Sequence, residues 1–118
     1  MAPCPFSPRQ PASAGLAFNL KPNGDYLVIR ANAVENNLVF FKMEQGRRSS
    51  VRWVGKISIP TNQWHTLRVV VSGKKIEGYL DNIKYVDYRW NQNIDGKIGL
   101  WSKADSYIFF GNVSVKPK

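Results

Sequence analysis

The sequence consists mainly of short runs of β-branched and aromatic residues, separated by residues that favour turns. In the clearest run, residues 64–71, Leu67, Val69 and Val71 recur with the period of two that a half-buried strand requires. The Ser-Gly pair at 72–73 follows and can supply the positive φ of a tight hairpin turn. No segment keeps a 3.6-residue apolar period for long. The pattern therefore predicts an all-β fold assembled from hairpins.

About nine strands are predicted along the chain. They lie at residues 15–20, 25–31, 38–43, 49–59 (as one strand or two), 64–71, 76–80, 83–88, 97–102 and 106–115. Short strands joined by tight turns are typical of sandwiches and jelly rolls. A chain of 118 residues holds one such domain and is too short for two independent cores. We therefore expect an all-β, antiparallel two-sheet β-sandwich of the jelly-roll type.

The first residues differ in character from the rest. Pro3, Pro5, Pro8 and Pro11 make segment 1–13 a poor candidate for a strand or a helix. It also lacks the apolar core of a signal peptide. The sequence therefore predicts an irregular N-terminal arm over residues 1–13 and a sandwich domain over residues 14–118. Cys4 is the single cysteine, so no disulfide forms within the chain.

Several motifs resemble those of a known family. Residues 64–71 with 76–82 are similar to the W-h-x-L-x-V … v-y-l-D-G hairpin of laminin-G-like domains, although Asn82 stands where those domains usually have Gly. Residues 96–101 resemble their G-x-v-G-L-w strand, and residues 110–115 resemble their closing F-d-n-v-x-V strand. Residues 25–37 are similar to a segment of one bacterial branch, the 3-keto-disaccharide hydrolase-like domains.

The resemblance covers residues 14–116 and implies a concanavalin A-like, laminin-G-like sandwich. It also implies an extracellular or periplasmic location, although the residues themselves leave the compartment unknown. Members of the family usually carry several more strands before the segment that matches Gly15. The chain is therefore expected to be an N-terminally shortened and incomplete sandwich. Missing strands would leave an exposed sheet edge, which favours self-pairing into a homo-oligomer or pairing with a partner strand.

Catalytic carboxylates are hard to find in the sequence. Glycoside hydrolysis needs two carboxyl groups flanking one bond, and laminarinase-type relatives of this fold carry E-x-D-x-x-E on one strand. That string is absent, and the 8 acidic residues are dispersed. His65 is the single histidine, and a structural or simply exposed side chain explains it better than general-base catalysis. The sequence thus favours a domain that is not an enzyme and leaves the question open.

Polar and aromatic residues together suggest a sugar site. Flat aromatic rings stack on the C–H faces of sugars, while amides, acids and arginine bond the hydroxyl groups. The candidate ligand-binding residues are Arg30, Asn32, Glu35, Asn37, Trp53, Trp90, Trp101 and Lys103. Trp101 has the opposite strand parity to Ile98 and Leu100, so its side chain should point away from their face. The alternative is that the tryptophans cap the ends of the sandwich and that Arg30 pairs with Glu35.

Asn91, Asn93 and Asp95 have the alternating oxygen ligands of half a calcium loop. Asp95 is the single charged residue among them, and a polar turn before a strand explains the segment better. We therefore expect no cofactor and no metal site, with calcium as the alternative.

The net charge of +9 raises the question of polyanionic partners. The cations are scattered along the chain, and one dense cluster stands out at Arg47, Arg48, Arg52 and Lys56. A solvated strand face explains the scatter, so nucleic acid is not an expected partner, whereas an acidic polysaccharide or a membrane surface remains open. No apolar run approaches the length of about 20 residues that crosses a bilayer, so membrane insertion is not expected.

Three functions are compatible with these residues. The leading hypothesis is a non-catalytic carbohydrate-binding or interaction domain with a glycan partner. The second is sugar-processing chemistry like that of 3-keto-glycoside hydrolases, with Arg, Glu and Asn side chains converging in a cleft. The third is a truncated sandwich that acts only as an oligomer or with a partner strand.

Overall fold

The computed structural model describes residues 2–8, 13–94, 98–102 and 108–110, with side chains for residues 4–8, 13–94 and 98–102. Within these ranges the chain forms ten β-strands. They are β1 Ala2–Pro8, β2 Ser13–Phe18, β3 Tyr26–Asn32, β4 Asn37–Glu44, β5 Arg47–Val54, β6 His65–Ser72, β7 Lys75–Leu80, β8 Ile83–Arg89, β9 Gly99–Ser102 and β10 Ile108–Phe110. None of the described residues forms a helix that is long and apolar enough to cross a membrane.

The described strands make two antiparallel sheets. Sheet 1 has the order β10-β1-β6-β7-β8, and sheet 2 has the order β5-β4-β3-β2-β9. One apolar cluster joins the two sheets, with Leu16, Ile29 and Phe40 from sheet 2 and Leu67 and Ile76 from sheet 1. The all-β, antiparallel two-sheet sandwich predicted from the sequence is therefore confirmed.

The prediction of an irregular arm over residues 1–13 is wrong for its first half. Ala2–Pro8 is strand β1, which pairs with β6 from Ala2 to Phe6 and with β10 from Phe6 to Pro8. The side chains of Cys4 and Phe6 are buried in the core between the sheets. Proline is tolerated where a strand needs no N–H group on one side, and over Ala2–Pro5 the described strands pair with β1 on the β6 side alone.

Most predicted strand positions agree with the structure to within a few residues, but segment 49–59 does not. Strand β5 ends at Val54, and Ile57 and Ile59 are buried in the core without belonging to a strand. Asn36 holds this segment in place, because its carbonyl accepts a hydrogen bond from the Ile57 amide and its side-chain Oδ1 accepts one from the Ile59 amide. Buried isoleucines in an irregular segment explain why the apolar pattern resembled a strand.

Sheet 2 is apolar on both faces at its centre. Alternate residues such as Ile29 and Phe40 point into the core between the sheets. Val28, Val39 and Phe41 point the other way and form a second buried cluster. We call the surface around this second cluster the outer face of sheet 2; by strand parity it comprises Ser13, Gly15, Ala17, Tyr26, Val28, Arg30, Asn32, Asn37, Val39, Phe41, Met43, Arg48, Ser50, Trp53, Gly99 and Trp101.

Candidate ligand-binding site

The outer face of sheet 2 brings together residues that lie far apart in the sequence. Register places Trp101, Gly15, Arg30, Val39 and Trp53 side by side across all five strands. We call this line the central row. Paired residues on antiparallel strands point to the same face, so two tryptophans flank one arginine on a single surface. Trp101 and Leu100 occupy opposite faces of β9, as their parity predicted.

Gly15 allows the central row to pack closely. A Cβ atom at this position would stand 2.7 Å from the carbonyl oxygen of Ile29 and 3.2 Å from the Cα of Arg30. Real side chains essentially never approach backbone atoms so closely, so the glycine is required by the close contact between β2 and β3. Its missing side chain also leaves the space beside Arg30 open towards Trp101.

Arg30 is buried and has no partner within the described ranges. Its side chain lies on the outer face, the residue is 5% exposed, and it makes no hydrogen bond or ion pair in the part of the chain that the structure describes. Burial lowers the pKa of its guanidinium, repulsion from Arg48 lowers that pKa further, and attraction to Glu35 opposes the shift. A buried charge is costly unless it is paired. The predicted alternative, an ion pair between Arg30 and Glu35, does not form.

Phe41 organises the aromatic part of the face. The Trp101 ring meets it edge-on, with ring centroids 5.6 Å apart. The Arg48 guanidinium lies over it, with Cζ 4.2 Å from the ring centroid, which is a cation–π distance. Phe41 pairs with Val28, one row below Arg30. Arg48 and Trp101 therefore contact one buried ring, and Arg30 lies in the adjacent row.

An apolar groove runs beside Trp101. It has a volume of about 350 Å³. Tyr26 lines one side of the groove and Trp101 lines the other. Between them lies the row formed by Ala17 and Gly99, which are opposite each other on β2 and β9. Leu20 lines it as well and is 48% exposed. Small residues between two aromatic rings leave room for a flat ligand on the sheet surface.

Amides occupy the row next to the central row. Asn32 and Asn37 pair with each other at the ends of β3 and β4. Asn32 Oδ1 accepts hydrogen bonds from the backbone N–H groups of Val34 and Glu35, so it shapes the turn between these strands. Asn37 Nδ2 donates to Glu35 Oε2 at 3.1 Å, and its Oδ1 is buried with no hydrogen-bond partner in the described chain. Asn37 Oδ1 is thus a buried acceptor with no described donor, on β4 two residues before Val39.

The structure separates Trp90 from the other predicted site residues. Trp90 packs against Phe40 and Tyr88 at the end of the inter-sheet core, as an end-capping tryptophan would. It lines a depression of about 240 Å³ with Asp25 and Glu44. Lys103 lies outside the described residues. The outer face thus gathers Arg30, Asn32, Asn37, Trp53 and Trp101, with Glu35 in the adjoining turn.

Sequence reasoning missed Gly15, Tyr26, Phe41 and Arg48 as members of the site. Phe41 and Tyr26 resemble core residues in the sequence, because they lie in strands that are apolar on both faces. Arg30 is the residue by which the sequence could have identified this surface. A charged residue between the apolar residues Ile29 and Ala31 indicates the face of the strand that does not point into the core.

The geometry of the sheets agrees with a comparison against protein families. The family model described as Laminin G domain matches residues 6–118. The chain belongs to the laminin G domain family. A search of the curated proteins by sequence finds no match.

Solved structures show the same architecture as this laminin G domain. The carbohydrate-binding module CBM66 from Bacillus subtilis has a TM-score of 0.83 and 22% sequence identity, covering 95% of this chain and 71% of that chain. Sheep galectin-11, solved in complex with glycerol, has a TM-score of 0.70 and 12% identity, covering 96% and 86%. Galectin LEC-6 from Caenorhabditis elegans has a TM-score of 0.63 and 16% identity, covering 92% and 80%. At these identities the likeness shows a shared fold. The specific resemblance to the 3-keto-disaccharide hydrolase branch stays a prediction.

The described carboxylates of this laminin G domain are engaged with other groups. Glu77 and Asp87 lie opposite each other on β7 and β8, and Lys84 bridges them at 3.2 Å and 3.3 Å. The hydrogen bond from Lys84 lowers the pKa of Glu77. A general acid in glycoside hydrolysis needs a raised pKa. This pair therefore behaves as a surface ion cluster.

The predicted calcium ligands are divided by the limits of the described chain. Asn91 and Asn93 are exposed and follow β8, and the backbone N–H of Ile94 donates to the carbonyl of Gly73 in the β6–β7 turn. Asp95 lies outside the described residues. Within the described ranges, no group of three His, Cys, Asp or Glu side chains is placed to hold a metal ion. Calcium binding at this segment stays a prediction.

Proposed function

We propose that this laminin G domain binds a glycan, without transforming it, on the outer face of sheet 2. The observation that carries the proposal is Arg30, a buried guanidinium that has no hydrogen-bond or ion-pair partner among the described residues and lies in one row between Trp53 and Trp101. An unpaired buried charge stabilises no fold, and it becomes favourable when a ligand supplies the missing acceptors. Trp53 is 58% exposed, so its ring is available at the rim of the same row.

The face offers both kinds of contact that a sugar needs. A pyranose or furanose ring can stack in the groove between Tyr26 and Trp101, because its C–H groups are apolar and the groove is lined by these aromatic rings together with small and aliphatic residues. Hydroxyl groups at the edge of that ring can accept hydrogen bonds from Arg30, whose row lies next to the row of Ala17 and Gly99. One similar solved structure is named a carbohydrate-binding module, which supports the same reading of this fold.

Binding without chemistry is supported by the state of the acids. Among the described carboxylates, Glu35 is the one whose charge affects the pKa of Arg30, and its Oε2 accepts a hydrogen bond from Asn37. A glycosidase needs a second carboxyl about 5 to 9.5 Å from the first. The described outer-face positions contribute amides, arginines, aromatic rings and small or aliphatic residues, with no second acid.

The experiment is a glycan-array screen in about 0.15 M salt, where long-range attraction to a basic protein is screened, followed by titration of the ligands found. We expect Trp53→Ala and Trp101→Ala to weaken binding about tenfold or more. Trp64→Ala is the matched control, since Trp64 is also a solvent-exposed tryptophan, 53% exposed, and precedes β6 in the other sheet. Equal losses in all three variants, or no glycan bound at all, would contradict the proposal.

The same titration tests the expectation that no metal takes part. We propose that EDTA leaves the affinity for the glycan unchanged. A loss of binding with EDTA that calcium restores would assign the segment containing Asn91 and Asn93 to a calcium-dependent site instead.

A further inference from the structure

The outer face of sheet 2 holds two guanidinium groups that act on each other. Arg30 projects from β3 and Arg48 from the edge strand β5, and Arg48 leans over the Phe41 ring at 4.2 Å. Phe41 is the diagonal neighbour of Arg30 across β3 and β4, so the Arg48 guanidinium above the Phe41 ring lies on the same part of the face as Arg30. Burial, and then repulsion from Arg48, lower the pKa of Arg30. Neither makes an ion pair or a hydrogen bond within the described residues.

Like charges held together in this way are costly for a free protein. Exposed arginines usually turn away from each other into water, but Arg30 cannot, because it is 5% exposed. The stacking on Phe41 likewise holds Arg48 above the sheet. An anion between the two groups would accept hydrogen bonds from both and remove their repulsion.

The surrounding acids do not fill this role. Glu35 attracts Arg30 but forms no ion pair with it, and its Oε2 is engaged by Asn37. Glu44, close to Arg48 in the sequence, pairs with Lys42 at 2.9 Å. The site between Arg30 and Arg48 therefore lacks a negative charge that the described chain could provide.

We propose that the glycan bound by the outer face carries an oxyanion substituent, a carboxylate or a sulfate, which binds between Arg30 and Arg48. This inference rests on the proposed glycan-binding function and specifies its ligand class. Guanidinium groups match planar or tetrahedral oxyanions with paired N–H donors, which hydroxyl groups of a neutral sugar cannot do as well. The sugar ring would then lie towards Trp101 and the groove, with its acidic substituent towards β5.

The test compares sugars that differ in charge alone. The probes are oligogalacturonate, its methyl ester, a sulfated galactan oligosaccharide and the same oligosaccharide without sulfate, titrated at about 0.15 M salt. We expect the acidic member of at least one pair to bind at least about tenfold more tightly than its neutral counterpart. The uronate pair and the sulfate pair distinguish the two sources of the oxyanion.

Three variants separate a specific site from diffuse attraction. Arg48→Met should reduce affinity for the acidic probe about tenfold or more. Arg47→Met removes the same charge from an exposed neighbour. Arg47 lies opposite Glu44 in the register of β4 and β5 and does not belong to the outer face, so its loss should change affinity about twofold at most. Arg30→Met should abolish the preference for the acidic probe, with a thermal melt to verify folding. Arg48 is exposed on an edge strand, so its variant keeps the test valid even if Arg30→Met fails to fold.

The possible outcomes test the anion site separately from the proposed glycan-binding function. Equal effects of Arg47→Met and Arg48→Met would mean diffuse electrostatics and would overturn the anion site. Tight binding of neutral glycans that depends on Trp101 and not on Arg48 would overturn it too, while leaving the proposed function intact. Binding of none of the probes, together with silence on the glycan array, would overturn both.

Discussion

Gly78 of β7 lies against Ile29 of β3 across the core between the two sheets. A Cβ atom on Gly78 would stand 2.9 Å from Ile29 Cδ1 and 3.2 Å from the Cβ of Val86. The glycine therefore sets how closely sheet 1 approaches sheet 2 at the centre of the sandwich. The register shift between Gly78 and Tyr79 lies at the same point of the β7–β8 pair.

We expect Gly78→Ala to destabilise the fold by about 1–3 kcal/mol, because the added methyl group must push the buried side chains of Ile29 and Val86 aside. Urea denaturation measures the change in the free energy of unfolding. Gly55→Ala is the control, since its Cβ would meet Trp53 Nε1 at an ordinary 3.7 Å. A cost for Gly78→Ala no larger than for Gly55→Ala would mean that the sheets do not approach as described.

Arg30→Met should separate stability from binding. Because no described residue pairs with the buried guanidinium, we expect the free energy of unfolding to stay within about 1 kcal/mol of wild type or to increase. Ile29→Ala, its neighbour on the core face, should cost about 2–5 kcal/mol. Thermal and urea denaturation of both variants provide the comparison. A loss above about 2 kcal/mol for Arg30→Met would show that Arg30 supports the fold through contacts of its own.

His65 connects three segments of sheet 1. Its Nε2–H donates to the carbonyl of Pro60 at 2.7 Å, and its Nδ1 lies 2.8 Å from Asp81 Oδ2. Asp81 Oδ1 also accepts a hydrogen bond from the backbone N–H of Thr66. Of the two expected roles, structural or simply exposed, these contacts favour the structural one, since the residue is 4% exposed.

We expect His65→Phe to lower the free energy of unfolding by about 2–3 kcal/mol, because the new ring keeps the volume but removes the hydrogen-bond partner of the Pro60 carbonyl and of Asp81 Oδ2. Asp81→Ala should cost less, since Asp81 is exposed and water can replace it. Urea denaturation again gives the values. A His65→Phe variant as stable as wild type would contradict the role of these hydrogen bonds.

Cys4 reports whether β1 is in place. The residue is 1% exposed, and burial raises the pKa of its thiol to about 11. A raised thiol pKa favours the protonated form in the fold, so its stabilising contribution is complete below the ordinary thiol pKa and is lost as the pH rises towards about 11. At pH near 8 we therefore expect iodoacetamide to modify Cys4 slowly in the native protein and rapidly in urea.

The control for this experiment is Ser50→Cys in a Cys4→Ala background, because Ser50 is exposed on the edge strand β5. That thiol should react at the same rate with and without urea. Fast native modification of Cys4, comparable with that of the Ser50→Cys variant, would mean that β1 is not docked on β6.

The strands of the hairpins could be predicted because their residues alternate between buried and exposed positions. β6 shows this from His65 to Val69, where buried residues alternate with half-buried ones; beyond Val69 the alternation ends, since Val70 is buried and Val71 is half-buried. Strand β1 could not be predicted in the same way. Its prolines are strong signals of irregular structure, and they are tolerated because the strand lacks a neighbour on one side over part of its length.

The candidate site was predicted in part, for a physical reason. Arg30, Asn32 and Asn37 belong to two consecutive strands, so the sequence could group them. Trp53 and Trp101 reach the same row only through sheet order and through the bulge between Phe40 and Phe41, which no local pattern reveals. The separation of Trp90 from this surface likewise depends on the packing of one sheet on the other.

The pairing of Phe6 with both His65 and Phe110 determines the order in which the chain can fold during synthesis. Strands β2 to β5 follow one another as neighbours in sheet 2, so these local hairpins can form as soon as they leave the ribosome. Strand β1 is made first, yet it has no described partner until β6 emerges, and β10 follows later still. The first strand therefore waits for more than half of the chain, and closure of sheet 1 becomes a late, non-local step of folding.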